Sequence, residues 1–317
     1  MRVGEAVGVA VVVGLAALGV VLLFAGEPSV AGAARQERVE NEREAALLAA
    51  LEAEFGSWAT PQVPADLPLA EPDLARGARV WLSQCLQCHG ATGDANTPTA
   101  AMHKPRPRDL RHGIVKYKST ERGYPPLRED LERSVRLGIT GTGMSSFRGL
   151  PEPDLQAVLD WTTYVMLRGQ TWMRAKDALA ASPDTAPEAV LAAELDTVRG
   201  LWSDLQRKVV AVPQRPTPDA AAVERGGHLF RGRAACATCH SDDGSGLPDG
   251  AVALPDAWGW DVEPRDLRGG WRGSRDAADL FRRVRVGIDG TPMPGVGDTL
   301  TDDEAWDVVT FLETLAE

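Results

Sequence analysis

The sequence is poor in cysteine and has no surplus of positive charge. Four cysteines occur in 317 residues, and all of them fall in two Cys-x-x-Cys pairs, so a framework of structural disulfides is not the default expectation. The formal net charge of −11 disfavours nucleic acid as a partner. A βαβ pattern is also lacking, which disfavours a thioredoxin-like use of the cysteine pairs.

Each cysteine pair is followed directly by a histidine. The two motifs are Cys85, Cys88 and His89, and Cys236, Cys239 and His240. Cys-x-x-Cys-His is the attachment signature of a c-type haem, because two thiols form thioethers with the porphyrin and the histidine then ligates the iron. Half of a zinc site or a thiol–disulfide switch is the alternative use of such a pair. Two complete motifs without a spare cysteine predict two covalently bound haem c groups.

The motifs head two copies of an internal repeat. Pro-Arg-Asp-Leu occurs at 107–110 and again at 264–267. A loop with glycine and threonine follows in each copy and contains Met144 or Met293, and a closing helix with apolar residues at helical spacing comes after it. Each haem should therefore have its own small helical domain.

The sixth ligand of each iron decides what the haem can do. A methionine thioether closes the coordination sphere and raises the reduction potential, whereas an open position suits ligand binding or catalysis. Met144 and Met293 are the candidate sixth ligands. In the first copy Met102, His103 and His112 lie in the same loop region and could compete for the iron.

This layout resembles a class I cytochrome c domain present twice, over 71–169 and 219–317. The resemblance implies an all-α fold, with His89 and Met144 as axial ligands in the first domain and His240 and Met293 in the second. It also implies a close contact between the first and last helices of each domain. The residues that match this contact are Gly77, Trp81 and Trp161 in the first copy and Gly226 or Gly227, Phe230 and Phe311 in the second.

The two methionine loops differ in stiffness. Pro292 and Pro294 flank Met293, whereas Gly143 and Ser145 flank Met144. Because proline restricts the backbone and glycine frees it, we expect the second loop to hold its thioether more firmly.

Arginine and tryptophan side chains are candidates for contact with the haems. Arg108 and Arg265 of the repeated Pro-Arg-Asp-Leu could bind haem propionates, since a guanidinium group pairs well with carboxylates. An ordinary turn stabilised by the neighbouring aspartate is the alternative. Trp258, Trp260 and Trp271 cluster in the second copy and are interpreted as aromatic packing around a haem.

The chain divides into five parts. Ala6 to Ala25 is free of charge and long enough to cross a membrane, although a cleaved signal peptide ending near Ala31-Gly32-Ala33 is the alternative. A helix and several prolines follow, and one helix over 187–210 is expected between the haem domains as a brace. The predicted parts are a transmembrane anchor at 1–27, a helix with a Pro-rich linker at 28–70, a first cytochrome c domain at 71–169, a helical connector at 170–218 and a second cytochrome c domain at 219–317.

These features predict an electron carrier on the periplasmic side of a bacterial inner membrane, held by a single-pass helix. Its expected partners are a membrane-bound respiratory or photosynthetic complex and soluble redox proteins, and no catalytic residue is expected. The first repeat carries a small positive excess and the second is strongly acidic, which suggests different partners for the two halves. The alternative is a dihaem enzyme, such as a peroxidase or a thiosulfate-oxidising cytochrome.

Overall fold

The computed structural model describes residues 39–69 and 72–316 and is mostly helical. The α-helices are α1 Glu42–Phe55, α2 Leu74–Gln84, α3 Leu86–His89, α4 Pro98–Met102, α5 Arg128–Leu137, α6 Glu152–Ala181, α7 Pro187–Trp202, α8 Ala220–Arg231, α9 Ala237–His240, α10 Ala277–Val286 and α11 Asp302–Leu315. Short 3-10 turns lie at Leu110–His112, Leu205–Lys208, Leu267–Gly269 and Gly297–Thr299. Each copy of the repeat thus has a first helix, a haem-motif turn, a short helix and a closing helix.

The membrane helix predicted at Ala6–Ala25 lies outside the described residues. Among residues 39–69 and 72–316, no helix is both long and apolar enough to cross a membrane.

A small sheet qualifies the all-α prediction. Strands β1 Leu254–Pro255 and β2 Asp261–Val262 pair antiparallel, with Leu254 opposite Val262. The loop between the strands carries Trp258 and Trp260 towards the first domain, so this hairpin is a contact element between the two copies.

In the part of the chain that the structure describes, two separate hydrophobic cores form, one for each copy of the repeat. The first core includes Trp81 and Trp161 of the repeat together with residues of α1 and α7. The hydroxyl of Tyr164 in α6 donates a 2.9 Å hydrogen bond to the carbonyl of Phe55, which fixes the end of α1 against the first domain. The second core is smaller and is formed mainly by α8, α10 and α11.

The connector differs from the expected single brace over 187–210. Helix α7 ends at Trp202, and Asp204 adopts a left-handed backbone with φ +53° before the 3-10 turn. The apolar stripe of α7 is buried in the first core through Leu191, Leu195 and Val198. Helix α7 therefore enlarges the first domain, and the later part of the connector contacts both domains: the N–H of Val210 donates to the carbonyl of Ser119 at 2.8 Å, and the carbonyl of Val210 accepts from Arg282 at 3.4 Å.

Glycine allows the first and last helices of each domain to touch. A Cβ atom on Gly77 of α2 would lie 2.2 Å from the carbonyl oxygen of Ala157 in α6. On Gly226 of α8 it would lie 2.0 Å from the carbonyl oxygen of Asp307 in α11. The rings of Phe230 and Phe311 pack beside the second crossing with centroids 5.3 Å apart. The structure thus places the contact residues as the resemblance implies.

Candidate haem sites

Both haem motifs adopt the same local structure. Each histidine ends a four-residue helix, and its backbone N–H donates to the carbonyl of the first cysteine, at 2.9 Å for His89 and 3.0 Å for His240. This turn brings the two cysteines and the histidine of each motif together. No disulfide joins the four cysteines, and burial raises the pKa of Cys85 to about 12 and that of Cys236 to about 11.

A backbone carbonyl orients each motif histidine. Nδ1 of His89 lies 3.1 Å from the carbonyl oxygen of Arg108, and Nδ1 of His240 lies 3.0 Å from that of Arg265. Burial lowers the pKa of both histidines, so each ring is neutral and donates through Nδ1. Nε2 then keeps its lone pair for a metal, which is the arrangement expected of an axial ligand. The residues present thus fit a haem iron in both domains.

The backbone of the Pro-Arg-Asp-Leu repeat therefore orients the motif histidines, a role that the sequence did not reveal. The predicted role of the Arg108 and Arg265 side chains concerns haem propionates, and it stays a prediction. The Arg265 guanidinium donates to the carbonyls of Gly270 and Gly269, at 3.0 and 3.4 Å. The Arg108 guanidinium donates at 3.0 Å to the carbonyl of Asp289, in the other domain.

Buried donors and positive charge lie between the domains. The Arg108 guanidinium stacks 3.9 Å from the centre of the Trp258 ring. Arg108 Nε and Trp258 Nε1 are buried and have no hydrogen-bond partner among the described residues. Nearby, burial and repulsion from Arg108 and Arg272 lower the pKa of Lys116 to about 8. Donors and cations of this kind fit carboxylates, and each haem carries two propionates.

The tryptophans of the hairpin contact arginines of the first domain. Trp258 stacks on Arg108, and Trp260 stacks on Arg106 with 3.7 Å between the guanidinium carbon and the ring centre. Together with Asn96 and Asp256 these side chains line a cleft of about 310 Å³ between the domains. Trp271 instead packs against the second core, and its indole N–H donates to the carbonyl of Ser274 at 3.0 Å.

The two methionine loops share one backbone conformation. In the first, the N–H of Ile139 donates to the carbonyl of Met144 at 2.9 Å, and in the second, Ile288 donates to Met293 at 3.2 Å. A glycine precedes each of these isoleucines in a left-handed conformation, with the loop backbone folded over it. Met144 and Met293 are both half-buried at equivalent positions. Their assignment as sixth ligands stays a prediction.

The surroundings of the two loops differ. In the first loop the ring of His103 packs against Gly143, where a Cβ atom would lie 2.4 Å from Nδ1. Of the two other candidate ligands, Met102 is exposed, while His112 lies against Trp258 with ring centres 5.3 Å apart. His103 is therefore the competing side chain that the structure places beside the Met144 loop.

The second loop is held by residues of the first domain. Arg122 donates to the carbonyls of Met293 and Thr291, at 3.0 and 3.1 Å. The carboxylate of Asp289 is paired with Lys118 at 2.5 Å. These residues have no motif in the sequence, and the one signal is that the repeat aligns Asp289 with Thr140, so the second copy has a charged side chain where the first has a neutral one.

Comparisons with known proteins bear on the activity. A segment of 85 residues is 38% identical to the thiosulfate dehydrogenase of Allochromatium vinosum and covers 26% of this chain and 28% of that protein. The match thus spans less than a third of the curated relative. A chain of the reducing HAO-like protein complex of Kuenenia stuttgartiensis has a similar fold, with a TM-score of 0.60 and 22% identity over 79% of this chain and 99% of that one.

The prediction that the chain is an electron carrier and no catalyst is wrong. The relative in sequence is named as a dehydrogenase, and the neighbour in structure belongs to a reducing HAO-like protein complex, so the similarities point to enzymatic cytochromes. The prediction rested on two irons closed by methionine ligands, and the similarity to proteins with these names overturns it.

The family itself is shown by a match over both copies of the repeat. The family model described as cytochrome c oxidase, cbb3-type, subunit III matches residues 72–161 and again residues 221–312, together more than half of the chain. The predicted c-type cytochrome with two domains and two covalently bound haem c groups is confirmed. The chain belongs to the family described as cytochrome c oxidase, cbb3-type, subunit III.

Proposed function

We propose that this protein is a dihaem enzyme on the periplasmic side of a bacterial inner membrane. In this proposal the first haem site does redox chemistry on a small inorganic anion, and the second exchanges electrons with a respiratory complex. The observation that carries this proposal is that the Met293 loop is held more firmly than the Met144 loop, through its two prolines and the hydrogen bonds from Arg122. The uncharged run Ala6–Ala25 and the need to attach haem outside the cytoplasm support the location.

The first site suits an exchangeable coordination position. Its loop has Gly143 and Ser145 beside Met144, and the His103 ring lies against that glycine. The second loop has two prolines and the hydrogen bonds from Arg122. Since a sixth ligand must leave before a substrate reaches iron, the less firmly held loop marks the site of chemistry.

Positive charge near the first site favours an anionic substrate. The Arg272 Nε donates to the carbonyl of Gly141 in the first loop at 3.3 Å, and the pKa of Lys116 is lowered by burial and also by repulsion from Arg108 and Arg272, which are close to it. Thiosulfate is the first anion to test, because the curated relative is named thiosulfate dehydrogenase. Joining two thiosulfate ions by a new S–S bond releases two electrons, and the haems, when bound, supply two one-electron acceptors. His89, oriented by the Arg108 carbonyl, would hold the haem iron through Nε2.

Unequal loops predict unequal binding of added cyanide. In the oxidised protein one haem should bind cyanide at least about tenfold more tightly than the other, as followed by a spectrophotometric titration. Met144→Leu should strengthen binding at the tight site, and Met293→Leu at the weak one. Met173→Leu, a change in a packing methionine of the first core, is the matched control and should alter neither. Equal affinities in the unchanged protein would contradict the division of roles.

Thiosulfate should reduce the oxidised protein directly. Rapid mixing should show haem reduction at a rate that saturates with thiosulfate, and the rate should fall as salt screens Lys116 and Arg272. His103→Ala should change this rate while leaving the cyanide affinity of the second site unchanged. Absence of reduction by thiosulfate would exclude this substrate, and a tight cyanide site would then direct the search to other small anions.

A further inference from the structure

We propose that Arg122 of the first domain is a positioning residue for the second haem: it fixes the Met293 loop and so sets how firmly that haem keeps its sixth ligand. The inference rests on the proposed function for the assignment of Met293 as a ligand. It adds that the strength of this ligand depends on the other domain.

Arg122 donates hydrogen bonds to the loop backbone on both sides of Pro292. Its Nη1 lies 3.0 Å from the carbonyl oxygen of Met293, and its Nη2 lies 3.1 Å from that of Thr291. Two donors from one planar guanidinium group define the direction of both carbonyls, which a single ammonium group does less well. The loop therefore cannot move away from the second haem site without breaking both bonds.

A buried ion pair holds Arg122 in place beside the loop. The Asp289 and Lys118 side chains are 4% and 5% exposed, with Nζ and Oδ2 at 2.5 Å. The backbone N–H of Gly123 also donates to both carboxylate oxygens of Asp289, at 3.2 and 3.1 Å. Asp289 begins the loop that ends in Met293, and Arg122 lies next to Gly123. The first-domain segment 118–123 and the second-domain segment 289–293 thus form one hydrogen-bonded unit.

The reciprocal contact on the first loop is weaker. The N–H of Gly273 donates to the carbonyl of Thr140 at 3.1 Å, and Arg272 donates to Gly141 at 3.3 Å. Among residues 39–69 and 72–316, these two hydrogen bonds from the second domain reach only Thr140 and Gly141, and neither involves Met144. The carbonyl of Met144 accepts from Ile139 of its own loop. Both loops thus share the local hydrogen bond from an isoleucine, and in the second loop the contacts from the other domain reach Met293 itself.

Loss of the Arg122 bonds should make the Met293 ligand easier to displace. We expect Arg122→Ala to raise the affinity of the second haem for added imidazole about fivefold, the effect of losing about one ordinary net hydrogen bond. The midpoint potential of the second haem should fall, because the thioether ligand raises it. Arg122→Lys should restore only part of the change. Imidazole titration and a potentiometric titration of the haem-loaded protein measure both effects.

Two further variants make the outcome decisive. Arg207→Gln, at a side chain 85% exposed on the connector, is the matched control and should leave both haems unchanged. Met293→Leu should produce the full loss of the thioether at the second haem. If Met293→Leu changes the spectrum and potential but Arg122→Ala behaves like the control, the positioning role is overturned. If Met293→Leu itself changes nothing, the ligand assignment is wrong and the inference falls with it.

Discussion

Replacement of Asp289 by alanine is expected to destabilise the folded protein by about 3–5 kcal/mol. The carboxylate is nearly inaccessible and is paired with the equally buried Lys118. Burial lowers the pKa of Lys118, while Asp289 acts in the opposite direction and favours the charged form. Removal of the carboxylate leaves a buried ammonium group without its counter-charge, and it also frees the N–H of Gly123.

The free energy of unfolding can be measured in denaturant by circular dichroism on the haem-loaded protein. Asp249→Ala, at an exposed aspartate in a loop of the second domain, is the control and should stay within about 0.5 kcal/mol of the unchanged protein. Combining Asp289→Ala with Lys118→Met should recover part of the loss, because the second change removes the unpaired charge. A double variant no better than the single one would show that the ion pair is not the cause.

Replacement of Gly226 by alanine is expected to cost about 2 kcal/mol of stability. The added Cβ atom would lie 2.0 Å from the carbonyl oxygen of Asp307 and 2.9 Å from the Cβ of Phe311. One of these atoms belongs to the backbone of α11, so the two helices must separate to make room. This cost exceeds the gain of up to about 1 kcal/mol that alanine brings over glycine inside a helix.

Gly200→Ala is the control, and it should change the free energy of unfolding in the opposite direction. Gly200 lies on the exposed side of α7, and a Cβ atom there would meet nothing within 4 Å. This substitution should stabilise the protein by about 0.5–1 kcal/mol through helix propensity alone. Thermal or denaturant unfolding of both variants gives the comparison. A neutral result for Gly226→Ala would mean that the helix contact is looser than the structure has it.

The haem sites were predictable because covalent chemistry constrains the sequence. Thioether formation requires two cysteines and a histidine at fixed spacing, and the helix contact requires a small residue at Gly77 and Gly226. Hydrogen bonds to backbone carbonyls carry no such requirement. The carbonyl of Arg108 accepts from His89 whatever its side chain is, so its role was invisible in the sequence.

The sequence also did not show which parts of the chain pack against α7, Trp258 and Trp260. An apolar stripe on α7 shows that one face is buried but leaves open which core receives it, and the structure places it in the first. Trp258 and Trp260 were interpreted as packing around a haem, because aromatic side chains often do so. They stack on Arg108 and Arg106 of the other copy, and a residue pair so far apart in the chain has no local pattern.

Arg108 connects the first haem motif to the loop of the second domain that contains Met293. Its carbonyl fixes the ring of His89, and its guanidinium fixes the carbonyl of Asp289, four residues before Met293. The hydrogen bond at Nδ1 tunes the basicity of an axial histidine. Displacement of the Asp289 carbonyl would therefore break a hydrogen bond made by the residue that orients His89, so the geometry of the first haem motif is coupled to the position of the second domain.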